Sequence, residues 1–273
     1  MTSHRDHVEE VRRRAVDLHD GQAGLFERWY GQKQASDDYA SAFLYGRKKV
    51  DDLLHLWLKS LPEAGNVLDA GCGTGEQIHV IRELGYEVGG VEPAPAMRQK
   101  AIANNPGSVI VDGSVTAIPF DDDSFDGVVC IEVLRYLHRD DITKAYEEMF
   151  RVLRPGGRLF VTLVNLLAID GFFVFDRLKR VAHRLSIGTE PAHCEFMTPR
   201  RVRRDLARVG AKGIRLHGRL FGPIRIAYKL DDRLGASAAK LLSDFDDRFS
   251  QMSWTTPFAG HLVAIATKPG RGD

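Results

Sequence analysis

An aspartate and three glycines are spaced in one short stretch as a small-ligand binding loop requires. Asp69 ends a short apolar run, and Gly71, Gly73 and Gly75 follow it at alternate positions. Glycine has no Cβ, so a tight turn made of these residues can present backbone N–H groups to a ligand at close range. An acid at the strand end suits a positively charged group. The stretch, which also contains Cys72, predicts a binding loop between a strand and a helix.

A second carboxylate follows at the end of the next predicted strand. That strand covers Tyr86 to Val91 and is followed directly by Glu92. An acid about 20 residues beyond a glycine loop can accept hydrogen bonds from both hydroxyls of a ribose. Pro93 fits the first turn of the helix that comes next. These spacings predict a ligand that contains a nucleoside.

The motifs and their order resemble those of the class I S-adenosylmethionine-dependent methyltransferases. The pattern Asp69-x-Gly71-x-Gly73-x-Gly75 is similar to motif I of that family, whereas dinucleotide-binding loops read GxGxxG. The stretch AIPFDDDSFDGVVC at 117 to 130 and the turn LRPGG at 153 to 157 follow in the order that the family shows.

The resemblance implies that S-adenosylmethionine is the cofactor. It assigns Glu92 to the ribose hydroxyls, Met97 to packing on adenine, Asp112 to the adenine amine, and Arg47 to the carboxylate of the methionine part. The expected cofactor-binding residues are Tyr39, Arg47, Asp69, Gly71, Cys72, Gly73, Gly75, Glu92, Pro93, Met97, Asp112, Gly113, Ser114, Ile131, Glu132 and Val133.

The end of the fourth predicted strand is the expected catalytic neighbourhood. The carboxyl ends of parallel strands line the ligand crevice, and this strand leads into Glu132 and the residues after it. Many family members carry a histidine where this chain has Tyr136, and here His138 lies two positions later. His138 has a second interpretation, as part of a turn before a helix that an aspartate caps.

His193 is the other candidate base. It precedes a helix that resembles one in family members acting on small molecules. A histidine suits proton removal near neutral pH, and a base is needed only if the acceptor is a hydroxyl. The adjacent residues Cys194 and Glu195 cannot converge with it on one metal ion without strain, so no metal site is expected. The candidate catalytic residues are Tyr136, His138 and His193.

The elements that would position these residues form an α/β fold. The resemblance implies a Rossmann-like, doubly wound, seven-stranded and mostly parallel sheet with helical cap insertions. We expect an N-terminal helical segment and cofactor lid at 1–59, a methyltransferase domain at 60–268, and a tail at 269–273. Within the domain, cap insertions are expected at about 165–197 and 221–257. Residues 1 to about 22 predict only a loosely held helix.

The insertion at 165–197 has three open interpretations. Its apolar residues alternate with basic ones at helical spacing, as in Phe172, Leu178 and Leu185 against Arg177 and Arg184. It could form a lid over an apolar acceptor, or a helix that lies on a membrane surface. It could also be an ordinary surface helix that packs its apolar face on the core.

Composition limits the function classes. The 273 residues contain 38 Lys and Arg against 37 Asp and Glu, so the net charge of +1 creates no global attraction for nucleic acid. Three cysteines without CxxC spacing indicate neither disulfides nor zinc and favour a cytoplasmic setting. No run of about 18 apolar residues predicts a membrane span, although peripheral membrane contact remains open.

The sequence therefore predicts transfer of a methyl group from S-adenosylmethionine to O, N or C of a small, apolar, lipid-like or natural-product acceptor. A catalytically silent cofactor-binding regulator is the alternative. A nicotinamide oxidoreductase is disfavoured by the GxGxG loop and the LRPGG turn.

Overall fold

The computed structural model describes residues 4–35, 37–168, 172–187, 191–220, 224–250, 252, 254–270 and 272. The strands are β1 Asn66–Ala70, β2 Glu87–Val91, β3 Val109–Val111, β4 Phe125–Cys130, β5 Leu153–Asn165, β6 Phe196–Met197, β7 Lys212–Arg219 and β8 His261–Thr267. The helices are α1 His4–Ala35, α2 Ala42–Leu58, α3 Glu76–Glu83, α4 Pro95–Asn104, α5 Arg139–Val152, α6 Phe172–Arg184, α7 Pro199–Arg208, α8 Ile224–Leu230 and α9 Asp232–Ser250.

Seven strands form the central sheet in the order β3-β2-β1-β4-β5-β8-β7, and the two-residue β6 pairs with β5 outside this path. Strands β1 to β5 run parallel, with Leu68 opposite Gly89 on one side and Val128 on the other. Strand β8 is antiparallel to β5, which places His261 opposite Val164. The expected doubly wound, mostly parallel sheet is confirmed.

The parallel strands are apolar because both of their faces are covered. On one face, Leu68, Val128 and Leu159 pack with the buried side of α5 and α7. On the other, Val67 and Phe160 pack with α2 and α3, and the Trp57 ring lies 5.5 Å from the Phe160 ring. The sheet is thus rigid where its carboxyl edge carries the candidate site.

The N-terminal helix is longer and better anchored than its sequence indicates. α1 continues to Ala35, and its Ala23 packs with Ala94 and Met97 of the α4 region. The guanidinium of Arg12 binds the carboxylate of Asp141 at 2.6 Å from Nη2 to Oδ1 and 3.2 Å from Nε to Oδ2. These contacts hold α1 across the carboxyl edge of the sheet.

The second cap consists of α8 and α9. Tyr45 of α2 is buried beside Tyr39, and both pack in a cluster with Tyr228 and Ala239. The buried ammonium of Lys49 donates to Ser243 Oγ at 2.9 Å and joins this cap to α2. The two tyrosines therefore serve cap packing.

Helix α6 contacts the domain through Phe172 and Phe173, whose rings lie against Phe196, and its aliphatic residues do not join the core. Within the described residues, no side chain of α6 is buried, and three of its aliphatic residues stay exposed, as does Leu185 directly after it. None of the helices in the described part of the chain is long and apolar enough to cross a membrane.

Candidate cofactor and acceptor site

A cavity of about 330 Å³ lies between the carboxyl edge of the sheet and α1. Its size is in the range of small-molecule sites. The sequence-predicted residues that line it are Arg47, Asp69, Gly71, Cys72, Gly73, Glu92, Pro93, Met97, Ser114, Ile131, Glu132, Val133 and Tyr136. The expectation that these distant positions converge at one place agrees with the geometry.

The glycine loop forms the floor of the cavity. Gly71 has φ of +83°, and a Cβ there would approach Val133 Cγ2 to 2.4 Å. Gly73 has φ of +54°, and a Cβ there would meet no atom within 4 Å. The left-handed conformation favours glycine at both positions. At Gly73 the missing side chain also leaves open space for a ligand to approach the backbone.

Asp69 is a buried carboxylate that lacks a donor. It is 3% exposed, and no group in the described ranges hydrogen-bonds its oxygens. Burial raises the pKa of Asp69 to about 7, and nearby Arg47 only partly offsets this while Glu92 adds to it. A carboxylate in this state is stabilised by a cationic ligand group.

Glu92 is fixed to the glycine loop by two backbone donors. Gly73 N donates to Oε2 at 2.9 Å, and Ala94 N donates to Oε1 at 2.9 Å. Burial raises the pKa of Glu92, although both of these hydrogen bonds act in the opposite direction. Each carboxylate oxygen keeps a further lone pair for hydroxyl donors. Asp69 and Glu92 thus offer two acceptor groups in the same cavity.

Arg47 faces this cavity from α2. Its Nε donates to Asp51 Oδ1 at 3.0 Å, and Gln77 Nε2 donates to the same oxygen at 3.2 Å. Arg47 is 9% exposed, so the buried partners fix the guanidinium rather than letting it extend into solvent. The arrangement suits an anionic ligand group close to the glycine loop.

A second polar network lies at the other end of the cavity. Glu132 has φ of +60°, and its carboxylate contacts Arg135 Nη1 at 3.0 Å and His261 Nδ1 at 3.2 Å. Burial opposes ionisation of Glu132, but His261 and Arg135 outweigh it and hold its pKa well below the usual range. Glu132 N also donates to Thr162 Oγ1 at 2.7 Å. This carboxylate is therefore charged and fixed.

Two lining histidines were absent from the sequence-based candidates. His261 begins β8, which is antiparallel, so its first residue reaches the same edge as the ends of the parallel strands. His19 comes from α1, and its Nδ1 lies 2.7 Å from the Ala15 carbonyl oxygen. A carbonyl only accepts, so Nδ1 carries the proton and Nε2 is left as the basic nitrogen.

His19 is held in a mostly apolar setting. Its ring meets Tyr136 edge-on with centroids 4.5 Å apart, and Phe26 stacks on it at 5.9 Å. Burial lowers the pKa of His19, the hydrogen bond to Ala15 opposes this, and the charge of Arg135 lowers it further. A neutral imidazole therefore faces the cavity. The only available sequence signal was helical spacing, which does not show where a surface helix docks.

The remaining predicted residues lie elsewhere. Tyr39 packs in the second cap, and its hydroxyl donates to Ser243 Oγ at 3.3 Å. The Asp112 side chain is 73% exposed and pairs with Arg98 at 3.0 Å. Gly75 and Gly113 also fall outside the lining, where a Cβ would clash with Asn105 and Pro119 respectively.

Neither predicted histidine base reaches the cavity wall. His138 caps the N-terminus of α5 and accepts from Asp140 N at 3.4 Å, so the histidine, and not an aspartate, is the N-cap. It packs edge-on against the rings of His4 and His7. His193 contacts the Leu137 carbonyl oxygen at 3.1 Å through Nε2. Both residues support the turn that carries Tyr136.

Comparison with known proteins identifies the domain around the glycine loop. Residues 68–161 match the family profile described as "Methyltransferase domain". The chain carries a class I methyltransferase domain. S-adenosylmethionine is the cofactor of this domain.

Relatives and structures support the methyltransferase domain. A protein of Bacillus subtilis named as a methyltransferase is 35% identical over 123 residues, which cover 43% of this chain and 50% of that protein. A demethylmenaquinone methyltransferase of Roseiflexus castenholzii is 38% identical over 144 residues, which cover 49% of this chain and 59% of that protein. The chain thus spans about half the length of the curated relatives it matches.

The fold is shared by a solved structure of a SAM-dependent methyltransferase from Thermotoga maritima. The TM-score is 0.59 at 19% sequence identity, with 92% of this chain and 99% of that chain covered. The overall fold of the chain therefore has a counterpart among solved structures.

The residues present fit the cofactor. An ammonium suits the buried carboxylate of Asp69, which has no protein donor, and ribose hydroxyls suit the spare lone pairs of Glu92. The space above Gly73 admits the ligand at van der Waals distance from the backbone. The glycine-loop end of the cavity thus has the donor, acceptor and steric character that S-adenosylmethionine requires.

Proposed function

We propose that this protein transfers the methyl group of S-adenosylmethionine to an O, N or C atom of a small apolar acceptor. The observation that carries the proposal is the pair Asp69 and Glu92, two buried carboxylates that open into the same cavity beside the glycine loop. S-adenosylmethionine supplies an activated methyl group on a sulfonium, so the protein has mainly to align and dehydrate the reactants.

In this proposal the glycine-loop end of the cavity holds the cofactor. Asp69 pairs with the ammonium, Arg47 with the carboxylate, and Glu92 with the ribose hydroxyls. Met97 is 2% exposed and packs beside the adenine. Asp112 and Ser114 follow β3 at the far edge, where Asp112 would accept from the adenine amine once Arg98 moves aside. Tyr39, Gly75 and Gly113 support the surrounding structure.

The other end of the cavity holds the acceptor. Phe43, Val133 and Leu220 supply apolar surface, and Glu132 with His261 supplies polar groups that can orient an acceptor. Helix α1 covers this end and excludes water. The relative from Roseiflexus castenholzii is named for demethylmenaquinone. The apolar walls of the cavity in this chain suit an aromatic or quinol-like acceptor.

His19 is the base that the geometry favours for a hydroxyl acceptor. Its Nδ1–H is committed to Ala15, so Nε2 is available to take the proton as the hydroxyl oxygen attacks the methyl group. Tyr136 packs against its ring and fixes its orientation. His138 and His193 act in this proposal only by positioning the segment that contains Tyr136.

The first experiment is calorimetric titration of the full chain with S-adenosylmethionine and S-adenosylhomocysteine. We expect micromolar binding of both. Titration of Asp69→Asn and Glu92→Gln in parallel should show weaker binding. Unchanged affinity in both variants would remove the assignment of the cofactor end.

A turnover assay then tests transfer. Demethylmenaquinol analogues and simple phenols serve as acceptors, and release of S-adenosylhomocysteine is measured. Turnover that is lost in His19→Gln while cofactor affinity is kept supports the acceptor end as described. Tight cofactor binding without turnover on any phenol, amine or activated carbon acceptor would instead indicate a silent binding protein.

A further inference from the structure

Helix α6 presents two different apolar faces. On the inner side, the rings of Phe172 and Phe173 contact Phe196 with centroid distances of 5.7 Å and 5.2 Å. These aromatic contacts attach the helix to the domain. The opposite side of the helix stays exposed.

The outer side carries three aliphatic residues at helical spacing, and Leu185 directly after the helix continues the row. Val174, Leu178, Val181 and Leu185 follow at intervals of four, three and four residues, so they form one continuous stripe. Their exposed fractions are 57%, 58%, 51% and 68%. We call these four residues the α6 stripe. An aligned apolar stripe exposed to this degree indicates an interaction surface rather than scattered surface residues.

Basic side chains border the α6 stripe. Arg177 and Arg184 lie along one edge of the stripe, and both are exposed. The single acid of the helix, Asp176, is paired with Arg180 at 2.7 Å. The whole chain has a net charge of only +1, so the positive charge here is local.

We propose that α6 docks on an anionic lipid surface, with the α6 stripe inserted among the acyl chains and Arg177 and Arg184 at the headgroups. Amphipathic helices with an apolar face and basic flanks bind in this manner. Basic residues within a Debye length of anionic lipid add to the apolar contribution.

This geometry favours a lipid surface over self-association. A two-fold pairing through the α6 stripe would bring the basic edges of two copies together, which like charges oppose. An anionic surface satisfies both the apolar stripe and its basic border. The positive charge beside the α6 stripe therefore favours an anionic lipid surface as its binding partner.

Docking would also orient the cavity. The guanidinium of Arg135, which lines the cavity, lies 5.2 Å from the centroid of the Phe172 ring at the start of α6. A lipid surface bound by α6 therefore lies next to the acceptor end. The inference goes beyond methyl transfer and can be tested without any acceptor.

The test is co-sedimentation of the full chain with phosphatidylcholine vesicles, made with or without phosphatidylglycerol. We expect binding to the anionic vesicles that weakens with salt. Leu178→Glu/Val181→Glu should reduce it by roughly tenfold or more, because two charges replace inserted apolar groups. Arg177→Glu/Arg184→Glu should reduce it similarly, because each basic residue near anionic lipid contributes about fivefold.

Two matched variants control for general effects. Leu234→Glu/Leu241→Glu changes exposed leucines of α9, which are 51% and 82% exposed beside acidic residues. Arg200→Glu/Arg203→Glu changes exposed arginines of α7. We expect both to bind vesicles like the wild type. Circular dichroism and cofactor affinity, which should be unchanged, confirm that all four variants fold.

Three results would overturn the inference. The wild type could bind both vesicle types equally or neither. The two α6 variants could sediment with anionic vesicles as well as the wild type does. Sedimentation velocity could instead show a wild-type dimer that Leu178→Glu/Val181→Glu dissociates, without vesicle binding, which would make the α6 stripe a self-association surface.

Discussion

At the scale of single residues, the site depends on carboxylates in unlike surroundings. Asp69 has no protein donor in the described structure and a raised pKa, whereas Glu132 is surrounded by Arg135 and His261 and has a lowered one. A buried group without a partner costs stability unless a ligand supplies the partner. Asp69 is thus available to bind a cationic ligand group, whereas Glu132 already has its charged partners within the protein.

Cofactor affinity should depend on pH through Asp69. In the free protein its pKa is about 7, so the carboxylate is charged above pH 7 and protonated below it. Binding of an ammonium favours the charged form, so the Kd should rise as pH falls below about 7, approaching tenfold per pH unit. Calorimetry at several pH values measures this.

The matched variant is Asp69→Asn. It should bind S-adenosylmethionine about 1–3 kcal/mol more weakly at pH 8, because the ammonium loses its charged acceptor. Its affinity should no longer change with pH between 6 and about 8, since the titrating group of the wild type is gone. A wild-type Kd that stays constant over this range would contradict the role of Asp69.

His19 should be neutral with its proton on Nδ1. The hydrogen bond to the Ala15 carbonyl fixes that tautomer, and burial with the charge of Arg135 lowers the pKa of the ring. Nitrogen-detected NMR should therefore show an Nδ1–H imidazole that titrates below the ordinary value of 6.5. The signal is assigned by its loss in His19→Gln. An Nε2–H tautomer would rule out Nε2 as the base.

At the scale of elements, α1 decides whether the cavity is closed. It supplies Arg12, Val16, His19 and Phe26 to the walls. The pair of Arg12 with the buried Asp141 joins its first half to α5, and Ala23 packs on the α4 region. Opening of the cavity therefore requires these contacts to break locally, as in a lid.

Removal of the Arg12 contact should loosen α1. In Arg12→Ala, Asp141 loses two hydrogen bonds while it remains 7% exposed, which leaves a buried charge without its partner. We expect faster amide hydrogen exchange across 8–26 and a cofactor Kd that is several-fold higher. Mass spectrometry of exchange with and without S-adenosylmethionine measures both effects.

The control is Arg13→Ala. Arg13 pairs with Glu10 on the same helix, and both side chains are accessible to solvent. Its exchange profile and cofactor affinity should match those of the wild type. Equal loosening in both variants would show that helix propensity, and not the contact with Asp141, holds α1 in place.

At the scale of the whole molecule, the sheet is packed tightly where it faces α2. A Cβ at Gly127 of β4 would lie 2.7 Å from Leu61 Cδ1 and 2.9 Å from the ring of Trp57. In a core that is packed this densely, an added methyl group forces the backbone to shift. The same packing fixes the strand that leads into Glu132, which follows the end of β4 by two residues.

Gly127→Ala should therefore destabilise the fold. Overpacking of a dense core costs about 1–3 kcal/mol, which denaturant unfolding detects as a lower midpoint. Gly21→Ala is the comparison, because a Cβ there meets no atom within 4 Å and alanine favours the helix. It should leave the midpoint unchanged or raise it. Equal midpoints for wild type and Gly127→Ala would show that α2 moves to accommodate the added methyl group without loss of stability.

The sequence by itself determined the cofactor side of this protein. Asp69, the glycines and Glu92 follow one another within two βα units, so local spacing specifies both their conformation and their meeting point. The mostly parallel sheet that carries these units was predictable from the same motifs. Local rules suffice where the functional groups are carried by neighbouring strand ends.

Only the tertiary structure decided the acceptor side. His19 lies more than a hundred residues from Tyr136, and His261 reaches Glu132 through strand pairing, so neither contact follows from spacing along the chain. The docking of α1 over the cavity and the outward direction of the α6 stripe depend on which helix faces are covered. Amphipathic patterns show that a face is apolar, but packing between distant segments decides whether it is buried.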